Sequence, residues 1–545
     1  MRGLMMEDQL TLFSIFDRVA RYFPQQEIVT RRPDGSFSRT NYAAFSTRVR
    51  KLARVLTDAG LAPGDRVATL LWNHAAHFEA FFAVPLAGGV LHPLNPRLHP
   101  DETAWIARAA GDRFLIVDDT LWPTFDRFRE SVPLDRVWQV PFAGLPAPAC
   151  AANYEAALNL APADFVFPQL DERDAASMFF TSGTTGRPKG VVYSHRSLVL
   201  HGLAACLADG CGLSRLDVVL PATPMFHANA WGLPHAAVIA GAKMVFPGSG
   251  ATPADLLDLV EQEGVTLASG VPTIWLGVLE ELRRNPSGWK FRAPVRVVVG
   301  GTAPPESLIR ELDRFGLRIL HGWGMTETSP LATVSHLKPH MQSWSEDRQY
   351  EARAKQGYPL PFIQVRLAGA EGEAPWDGAT PGELEVRGPW IASSYHAAPE
   401  SGDRWTPDGW FRTGDVATID SEGFVKIVDR AKDMIKSGGE WISSVDLENT
   451  LMAHPAVREA AVIAVYDPKW QERPLAIIVP REGPRPAPED LAALLATRFD
   501  KWQIPDGFVF VDELPRTSVG KIQKSRLREQ FRDWRKDHPA PPLQK

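Results

Sequence analysis

The run that decides the fold lies at residues 181–190 and reads Thr181-Ser182-Gly183-Thr184-Thr185-Gly186-Arg187-Pro188-Lys189-Gly190. Its glycines allow a tight turn whose backbone N–H groups can point at an anion. Its hydroxyls add donors, and the Lys189 ammonium adds a positive charge. The run therefore predicts a loop that holds the phosphates of a nucleotide.

Two short apolar segments flank this loop and predict strands on either side of it. Ser177–Phe180 precedes the loop, and Val191–Tyr193 follows it. A Walker loop would need Ser or Thr after its lysine and a helix behind it, whereas Gly190 and a strand follow Lys189. The alternative interpretation is an ordinary surface turn rich in Ser, Thr and Gly.

Further out, short β-branched runs alternate with segments of helical periodicity such as Tyr42–Ala59. This alternation predicts an α/β protein with parallel sheets covered by helices. The runs expected as strands are Arg66–Leu71, Phe114–Val117, Val218–Pro221, Met244–Phe246 and Val295–Val299.

After about residue 360 the pattern changes to short, glycine-punctuated segments that predict antiparallel strands, Gly382–Arg387 and Gly423–Val428. Beyond Asp429 a separate small unit is expected, of a length that suits an independent domain. Its elements are a helix at Ser444–Ala453, a strand at Glu459–Tyr466 and a helix at Pro488–Phe499. The sequence thus predicts one domain at 1–429 and a second at 430–545.

The composition is that of an ordinary globular protein: 545 residues, 44% hydrophobic, 23% charged, with a net charge of −6. This balance argues against a nucleic-acid partner. The three cysteines form neither a zinc pattern nor a disulfide framework, which favours the cytoplasm. No secretory signal is expected at Met1–Leu12. The apolar run Ala80–Leu91 is broken by Pro85 and is too short for an integral membrane segment.

Four further segments each carry a polar constellation. Glu327 stands among small residues and hydroxyls in His321–Thr328, and Thr413-Gly414-Asp415 presents a carboxylate on a turn. Asp429–Glu440 combines basic residues with a glycine pair, and Pro515–Lys521 ends on Lys521. Taken singly, each has a plain alternative, because such turns are common and basic clusters are usually solvated.

Together and in this order, these segments resemble the adenylate-forming superfamily, which includes acyl-CoA synthetases, luciferase-like enzymes and the adenylation domains of peptide synthetases. The resemblance covers about residues 10 to 535. Within the superfamily, Pro224-Met225-Phe226-His227-Ala228-Asn229-Ala230-Trp231-Gly232-Leu233-Pro234 is typical of fatty-acyl-CoA synthetases. The resemblance implies a large N-terminal domain with α/β subdomains and a distorted β-barrel. A small, mobile α+β C-terminal domain would turn about a hinge near Lys432.

The implied reaction is an ATP-dependent, AMP-forming ligation of a carboxylic acid to coenzyme A through an acyl-adenylate, with Mg²⁺ as cofactor. By similarity, the catalytic residues are Lys521, Glu327, Thr326 and Lys189, and Thr181 and Glu327 hold the metal. The ATP and AMP site would comprise Thr181, Ser182, Gly183, Thr184, Thr185, Gly186, Lys189, Gly301, Thr302, Ala303, His321, Gly322, Trp323, Gly324, Met325, Thr326, Asp415, Arg430, Lys432 and Lys521. The acyl and CoA site would comprise His227, Ala228, Trp231, Lys436, Gly438, Gly439 and Trp441.

Several alternatives stay open at this stage. A medium- or long-chain fatty acid is the first choice of substrate, with 3-methylmercaptopropionate or another short acid as the alternative. A separate carrier protein could replace CoA as acceptor. An inactive scaffold is disfavoured because Lys189, Glu327, Asp415, Arg430 and Lys521 are all present. Trp231 is either a gate to the acyl site or a core residue. His321 departs from many relatives, which carry an aromatic residue or glutamine there. A homodimer is implied by the resemblance alone.

Overall fold

The computed structural model describes residues 1, 3–181, 187–369, 372–438, 440–517 and 520–538. Its strands are β1 Glu27–Arg31, β2 Phe37–Asn41, β3 Arg66–Leu70, β4 Val90–Pro93, β5 Asp112–Asp118, β6 Arg136–Val140, β7 Ala152–Asn153, β8 Ala175–Phe180, β9 Gly190–Ser194, β10 Val218–Pro221, β11 Lys243–Phe246, β12 Leu267–Gly270, β13 Val295–Val299, β14 Leu317–Gly324, β15 Leu331–Val334, β16 Tyr358–Pro359, β17 Gln364–Gly369, β18 Gly372–Glu373, β19 Gly382–Arg387, β20 Phe411–Ile419, β21 Val425–Arg430, β22 Ile435–Ser437, β23 Glu440–Ile442, β24 Val457–Asp467, β25 Gln471–Pro480 and β26 Gly507–Phe510.

The α-helices connect and cover these strands. They are α1 Leu12–Tyr22, α2 Tyr42–Asp58, α3 Ala75–Leu86, α4 Pro100–Ala110, α5 Trp122–Asp126, α6 Tyr154–Leu160, α7 His195–Cys206, α8 Leu233–Ala240, α9 Pro253–Glu263, α10 Pro272–Arg284, α11 Glu306–Arg314, α12 Glu346–Ala354, α13 Ser444–Met452, α14 Pro488–Ala496, α15 Lys524–Gln530 and α16 Trp534–Asp537.

Two large, mainly parallel sheets form the N-terminal part, as the alternating pattern predicted. One has seven strands in the order β7-β6-β5-β3-β4-β8-β9, and the other has nine in the order β16-β15-β14-β13-β12-β10-β11-β1-β2. The loop at 181–190 joins β8 to β9, which pair antiparallel. The phosphate loop expected from the sequence therefore connects two strands.

A shared apolar core joins the two large sheets. Phe16, Phe45, Phe78 and Phe82 pack on one another there, with ring centroids 4.6 to 6.3 Å apart. Every residue of α3 from Ala76 to Leu86 is buried, so the longest apolar run of the sequence forms a helix inside this core. Among the described residues, no helix is both long and apolar enough to cross a bilayer.

A five-stranded antiparallel sheet follows, in the order β18-β17-β19-β20-β21. This confirms the antiparallel strands expected after residue 360. Over the described residues the sheet is open, because its edge strands β18 and β21 do not pair with each other. Gly357, which precedes β16, instead forms a bridge to Val425 of β21. The expected distorted barrel is therefore found as an open sheet laid against the edge of the nine-stranded one.

The smaller C-terminal domain is α+β. Its sheet has the order β23-β22-β25-β24, with β26 added parallel to β25. Leu447 and Leu451 of α13 and Leu491 of α14 pack on this sheet in a separate apolar cluster. The chain passes from the five-stranded sheet to this one between Arg430 and Ile435. The boundary after residue 429 stays a prediction.

Candidate active site

A cavity of about 320 Å³ opens where the carboxyl ends of β13 and β14 meet the loop after β8. Ligands of parallel α/β sheets usually bind at this edge, since the strands end there and leave a crevice. The residues expected from the sequence that line this cavity are Thr181, Lys189, His227, Ala228, Trp231, Gly301, Gly322, Trp323, Gly324, Met325, Thr326, Glu327, Arg430, Lys432 and Lys521.

A second cavity of about 260 Å³ adjoins the first between the N-terminal part and the C-terminal domain. The two cavities share Gly301, the segment Gly322–Met325, Arg430, Lys432 and Lys521. The further expected residues that line the second cavity are Thr302, Ala303, His321 and Asp415. The structure thus brings together residues that lie more than 300 positions apart in the chain.

The two ends of the predicted phosphate loop are clamped to each other. The Thr181 N–H donates to the Lys189 carbonyl at 2.9 Å, and the Lys189 N–H donates to Thr181 Oγ1 at 3.1 Å. The Lys189 ammonium lies 5.0 Å from the centre of the Tyr395 ring. Ser182, Gly183, Thr184, Thr185 and Gly186 lie outside the described residues, as does Gly439.

Glu327 is a buried carboxylate on a short 3-10 turn, Thr326–Thr328, that follows β14. The Tyr395 hydroxyl donates to Glu327 Oε1 at 2.6 Å. Burial and the Glu327 charge raise the pKa of Tyr395, so that its phenol stays a neutral donor. The Tyr193 hydroxyl donates to the Thr326 carbonyl at 2.6 Å. Neither tyrosine is among the site residues predicted from the sequence. The same is true of Arg404, which lines the cavity.

Asp415 is buried on β20 and has two partners. Its Oδ2 accepts a hydrogen bond from Trp323 Nε1 at 3.0 Å, and its Oδ1 lies 3.2 Å from Arg430 Nε. The strand register explains the second contact, because β20 and β21 pair Asp415 with Arg430. The carboxylate is thus held at the border of the second cavity.

Lys521 reaches the cavities from a loop between β26 and α15. The Lys521 carbonyl accepts a hydrogen bond from Thr517 N–H at 2.7 Å, and its own N–H donates to Thr517 Oγ1 at 3.1 Å. Its Cε lies 3.4 Å from the place that a Cβ on Gly301 would take, so the side chain passes over that glycine. Burial, followed by repulsion from Arg430, lowers the pKa of Lys521 to about 8.

The opposite wall of the cavity is a left-handed turn. Ala228, Asn229, Ala230, Trp231 and Gly232 all have positive φ, between 43° and 76°. This region costs about 1–2 kcal/mol for each residue other than glycine. At Gly232 a Cβ would lie 2.3 Å from the His201 ring, so only glycine fits. The turn aims the Trp231 side chain at the cavity.

His227 stands just before this turn. Burial, reinforced by the Lys521 charge, lowers the pKa of His227 to about 3. The imidazole is therefore neutral at physiological pH. A neutral ring adds no second positive charge beside the Lys521 ammonium.

Lys436, Gly438 and Trp441 are not brought to either cavity. They lie on the β22–β23 hairpin of the C-terminal domain, where Trp441 is 51% exposed. The Lys436 ammonium lies 5.5 Å from the centre of the Trp441 ring. In this arrangement Lys521, and not the hairpin, occupies the cavity.

Two families match the chain: residues 16–396 match "AMP-binding enzyme" and residues 446–521 match "AMP-binding enzyme C-terminal domain". The chain is 49% identical to a long-chain-fatty-acid–CoA ligase of Thermus thermophilus, over 97% of each chain. It is 44% identical to a 3-methylmercaptopropionyl-CoA ligase of Ruegeria pomeroyi, over 98% of this chain and 99% of that protein. A medium-chain-fatty-acid–CoA ligase of Ectopseudomonas oleovorans is 42% identical, over 98% of both.

Solved structures share the fold along nearly the whole chain. An anthranilate CoA ligase in complex with anthranoyl-AMP superposes with a TM-score of 0.84 at 23% identity, covering 96% of this chain and 97% of that one. ATP-bound MatB of Rhodopseudomonas palustris superposes with a TM-score of 0.81 at 26% identity, covering 97% of this chain and all of that one.

Proposed function

The chain belongs to the AMP-binding enzyme family and is an AMP-forming acyl-CoA synthetase, and from this premise we propose that its substrate is a medium- or long-chain fatty acid. The observation that carries the proposal is one cavity lined by both charged and apolar side chains. Lys521 and Glu327 line it together with Trp231, Val298 and Leu331. The long-chain and medium-chain relatives support this choice.

In the proposed first half-reaction, a carboxylate oxygen of the acid attacks the α-phosphorus of ATP, and the bond to pyrophosphate breaks. Lys189 and the loop before it hold the β- and γ-phosphates, and Thr326 contacts the α-phosphate. Lys521 stands between the attacking carboxylate and the α-phosphate. An ammonium preorganised there offsets the repulsion of two anions and the charge that develops on the phosphate oxygens.

Glu327 and Thr181 offer oxygen ligands suited to a Mg²⁺ ion. Glu327 is a carboxylate fixed by Tyr395, and Thr181 places a hydroxyl on the same cavity. Mg²⁺ commonly binds through one or two carboxylates and completes its shell with waters and substrate phosphates. The described residues contain no cluster of three metal-binding side chains, so the phosphates would supply the remaining ligands. An ion held there by Glu327 and Thr181 would neutralise phosphate charge.

The adenosine half of ATP is assigned to the second cavity. Asp415 would accept hydrogen bonds from the ribose hydroxyls, and Arg430 would lie against ribose and phosphate. Gly301, Thr302 and Ala303 would line the adenine. His321 lines the same cavity and would also lie against the adenine.

In the proposed second half-reaction, the CoA thiol attacks the acyl carbon and AMP leaves. The C-terminal domain would turn about Lys432, withdraw Lys521 and bring Lys436, Gly438, Gly439 and Trp441 to the site. No side-chain nucleophile is needed, because the acyl-adenylate is already activated. The boundary at 429/430, the homodimer and the cytoplasmic location stay predictions.

A second candidate substrate is 3-methylmercaptopropionate, which the relative at 44% identity favours. The test measures pyrophosphate release with ATP and Mg²⁺, with and without CoA. The acids would be C2 to C18 straight chains, 3-methylmercaptopropionate, benzoate and a cinnamate. We expect CoA-dependent turnover that is fastest with a chain of eight or more carbons. Fastest turnover with the sulfur acid would overturn the fatty-acid assignment. Pyrophosphate release that CoA does not accelerate would indicate that a carrier protein, and not CoA, is the acyl acceptor.

Trp231→Ala is expected to shift the best substrate toward longer acids. The indole Cη2 lies 3.5 Å from the place of a Cβ on Gly300, so the ring reaches from the turn to the residue that follows β13. Its removal frees space for the acyl chain and leaves the phosphate-binding residues in place. The measurement is kcat/KM across the chain-length series together with the KM for ATP. Trp376→Ala, an exposed tryptophan outside both cavities, is the control. An unchanged dependence of kcat/KM on chain length would mean that Trp231 is a core residue and not a gate.

A further inference from the structure

Lys524 carries a charge that the proposed mechanism does not use. It is the first residue of α15, three positions after Lys521, and its side chain is 12% exposed. Its ammonium lies 2.7 Å from Glu448 Oε1 and 2.5 Å from Ser444 Oγ. Both partners belong to α13, so Lys524 ties the start of α15 to that helix.

The same cluster reaches across to the five-stranded sheet through Asp429 of β21. Asp429 Oδ2 accepts hydrogen bonds from the Ser444 N–H, at 2.8 Å, and from the Ser444 hydroxyl. Asp429 Oδ1 accepts from the Arg430 N–H at 2.7 Å. Arg430 in turn lies on Asp415 at the cavity. A continuous set of polar contacts therefore runs from α15 to the active site.

The charges of this cluster match its geometry. Burial alone would lower the pKa of Lys524, but the carboxylates of Glu448 and Asp429 outweigh burial and raise it. Lys524 therefore stays an ammonium, and its charge opposes the burial that raises the pKa of Glu448 to about 7 and that also raises the pKa of Asp429. One turn further along α15, Arg528 Nη1 lies 2.6 Å from Asp433 Oδ1, just after the expected hinge. The helix that follows the Lys521 loop is thus anchored at two points.

We propose that Lys524 is a positioning residue for adenylate formation, which holds the loop of Lys521 in the cavity by tying α15 to α13 and to Asp429. This proposal rests on the proposed function, because Lys524 acts through Lys521. The contact with Glu448 lies within the C-terminal domain and would survive a rotation of that domain. The contact of Ser444 with Asp429 joins the two domains, so it belongs to the adenylate-forming arrangement alone.

The test separates the two half-reactions in the full-length enzyme. One assay follows acyl-adenylate formation from the best acid, ATP and Mg²⁺, and the other follows thioester formation from supplied acyl-adenylate and CoA. For Lys524→Met we expect a loss of about 10- to 100-fold in the first assay, because misplacing a catalytic group by about 1 Å can cost about 100-fold. The second assay should change less than twofold. Lys524→Arg, which keeps the charge, should restore most of the first activity.

Asp429→Asn tests the contact between domains, because it leaves the pair of Lys524 and Glu448 intact. It should also slow adenylate formation and spare the thioester step. If Lys524→Met fails to fold, the double variant Lys524→Met/Glu448→Gln removes both buried charges and is assayed instead. Lys501→Met, an exposed lysine of the same domain, is the matched control.

Equal losses in both half-reactions, or an unchanged rate of adenylate formation in all these variants, would overturn the positioning role. These outcomes differ from a failure of the proposed function. If the unmodified enzyme forms no adenylate with any acid of the panel, the assigned reaction is wrong whatever the variants do.

Discussion

Replacement of Lys521 by alanine is expected to lower the rate of acyl-adenylate formation by at least about 100- to 1,000-fold, the usual effect of removing one preorganised group that stabilises developing charge. The ammonium lines the same cavity as Glu327 and the phosphate-loop residues Thr181 and Lys189. Without it, the carboxylate must approach the α-phosphate with no compensating charge between them. Thioester formation from supplied acyl-adenylate should change little.

Substrate-dependent exchange of labelled pyrophosphate into ATP measures the first step, and CoA consumption from synthetic acyl-adenylate measures the second. Lys501→Ala provides the matched control, since this lysine is exposed and lies outside both cavities. A variant of Lys521 that loses both steps equally would contradict the assigned role.

The same ammonium gives the first step a pH dependence. Because the pKa of Lys521 is lowered to about 8, the charged form is lost as the pH rises through that value. We expect kcat/KM for adenylate formation, which reports the free enzyme, to fall about tenfold per pH unit above pH 8. Lys521→Arg keeps its charge over this range, so its residual activity should lack the fall. A fall of the same shape in both enzymes would assign it to another group.

Glu327→Gln is expected to lower pyrophosphate release by about 100-fold and to raise the Mg²⁺ concentration needed for half-maximal rate, because it removes the charge of the proposed metal ligand. Glutamine keeps the size of the side chain and can still accept from Tyr395. Tyr395→Phe removes only the hydrogen bond to Oε1. It should cost about tenfold, as for a residue that orients a ligand. The measurement is a Mg²⁺ titration of both variants at saturating ATP.

An unchanged Mg²⁺ requirement in Glu327→Gln would remove this carboxylate from the metal site. A greater loss in Tyr395→Phe than in Glu327→Gln would assign the tyrosine a more direct part than orientation.

Strands could be predicted from the sequence where the pattern of apolar residues matches the burial of the strand in the structure. The predicted strands Val218–Pro221, Val295–Val299 and Gly382–Arg387 are found with the same bounds. Each is a short run with β-branched or alternating apolar residues, and its apolar side chains are buried within a single sheet. The predicted strand Glu459–Tyr466 is longer in the structure, Val457–Asp467, because pairing with β25 extends it beyond its apolar centre.

The polar framework of the site was not accessible in the same way. The contact of Tyr395 with Glu327 spans 68 positions, that of Tyr193 with Thr326 spans 133, and that of Lys524 with Ser444 spans 80. No local periodicity encodes such pairs, since tertiary packing alone brings them together. The left-handed turn was missed for a different reason, because only Asn229 and Gly232 within it are residue types that commonly adopt positive φ.

The left-handed turn limits the substitutions that could be used to change the acyl preference of the enzyme. At Asn229 and Ala230 the backbone admits glycine, asparagine or aspartate readily and penalises β-branched residues. In a mutant library randomised there, the clones with β-branched residues would carry added backbone strain. Val298 and Leu331 face the same cavity from extended strands, where any apolar side chain has an allowed backbone. Directed evolution of chain length should therefore begin on the strands and leave the turn as it is.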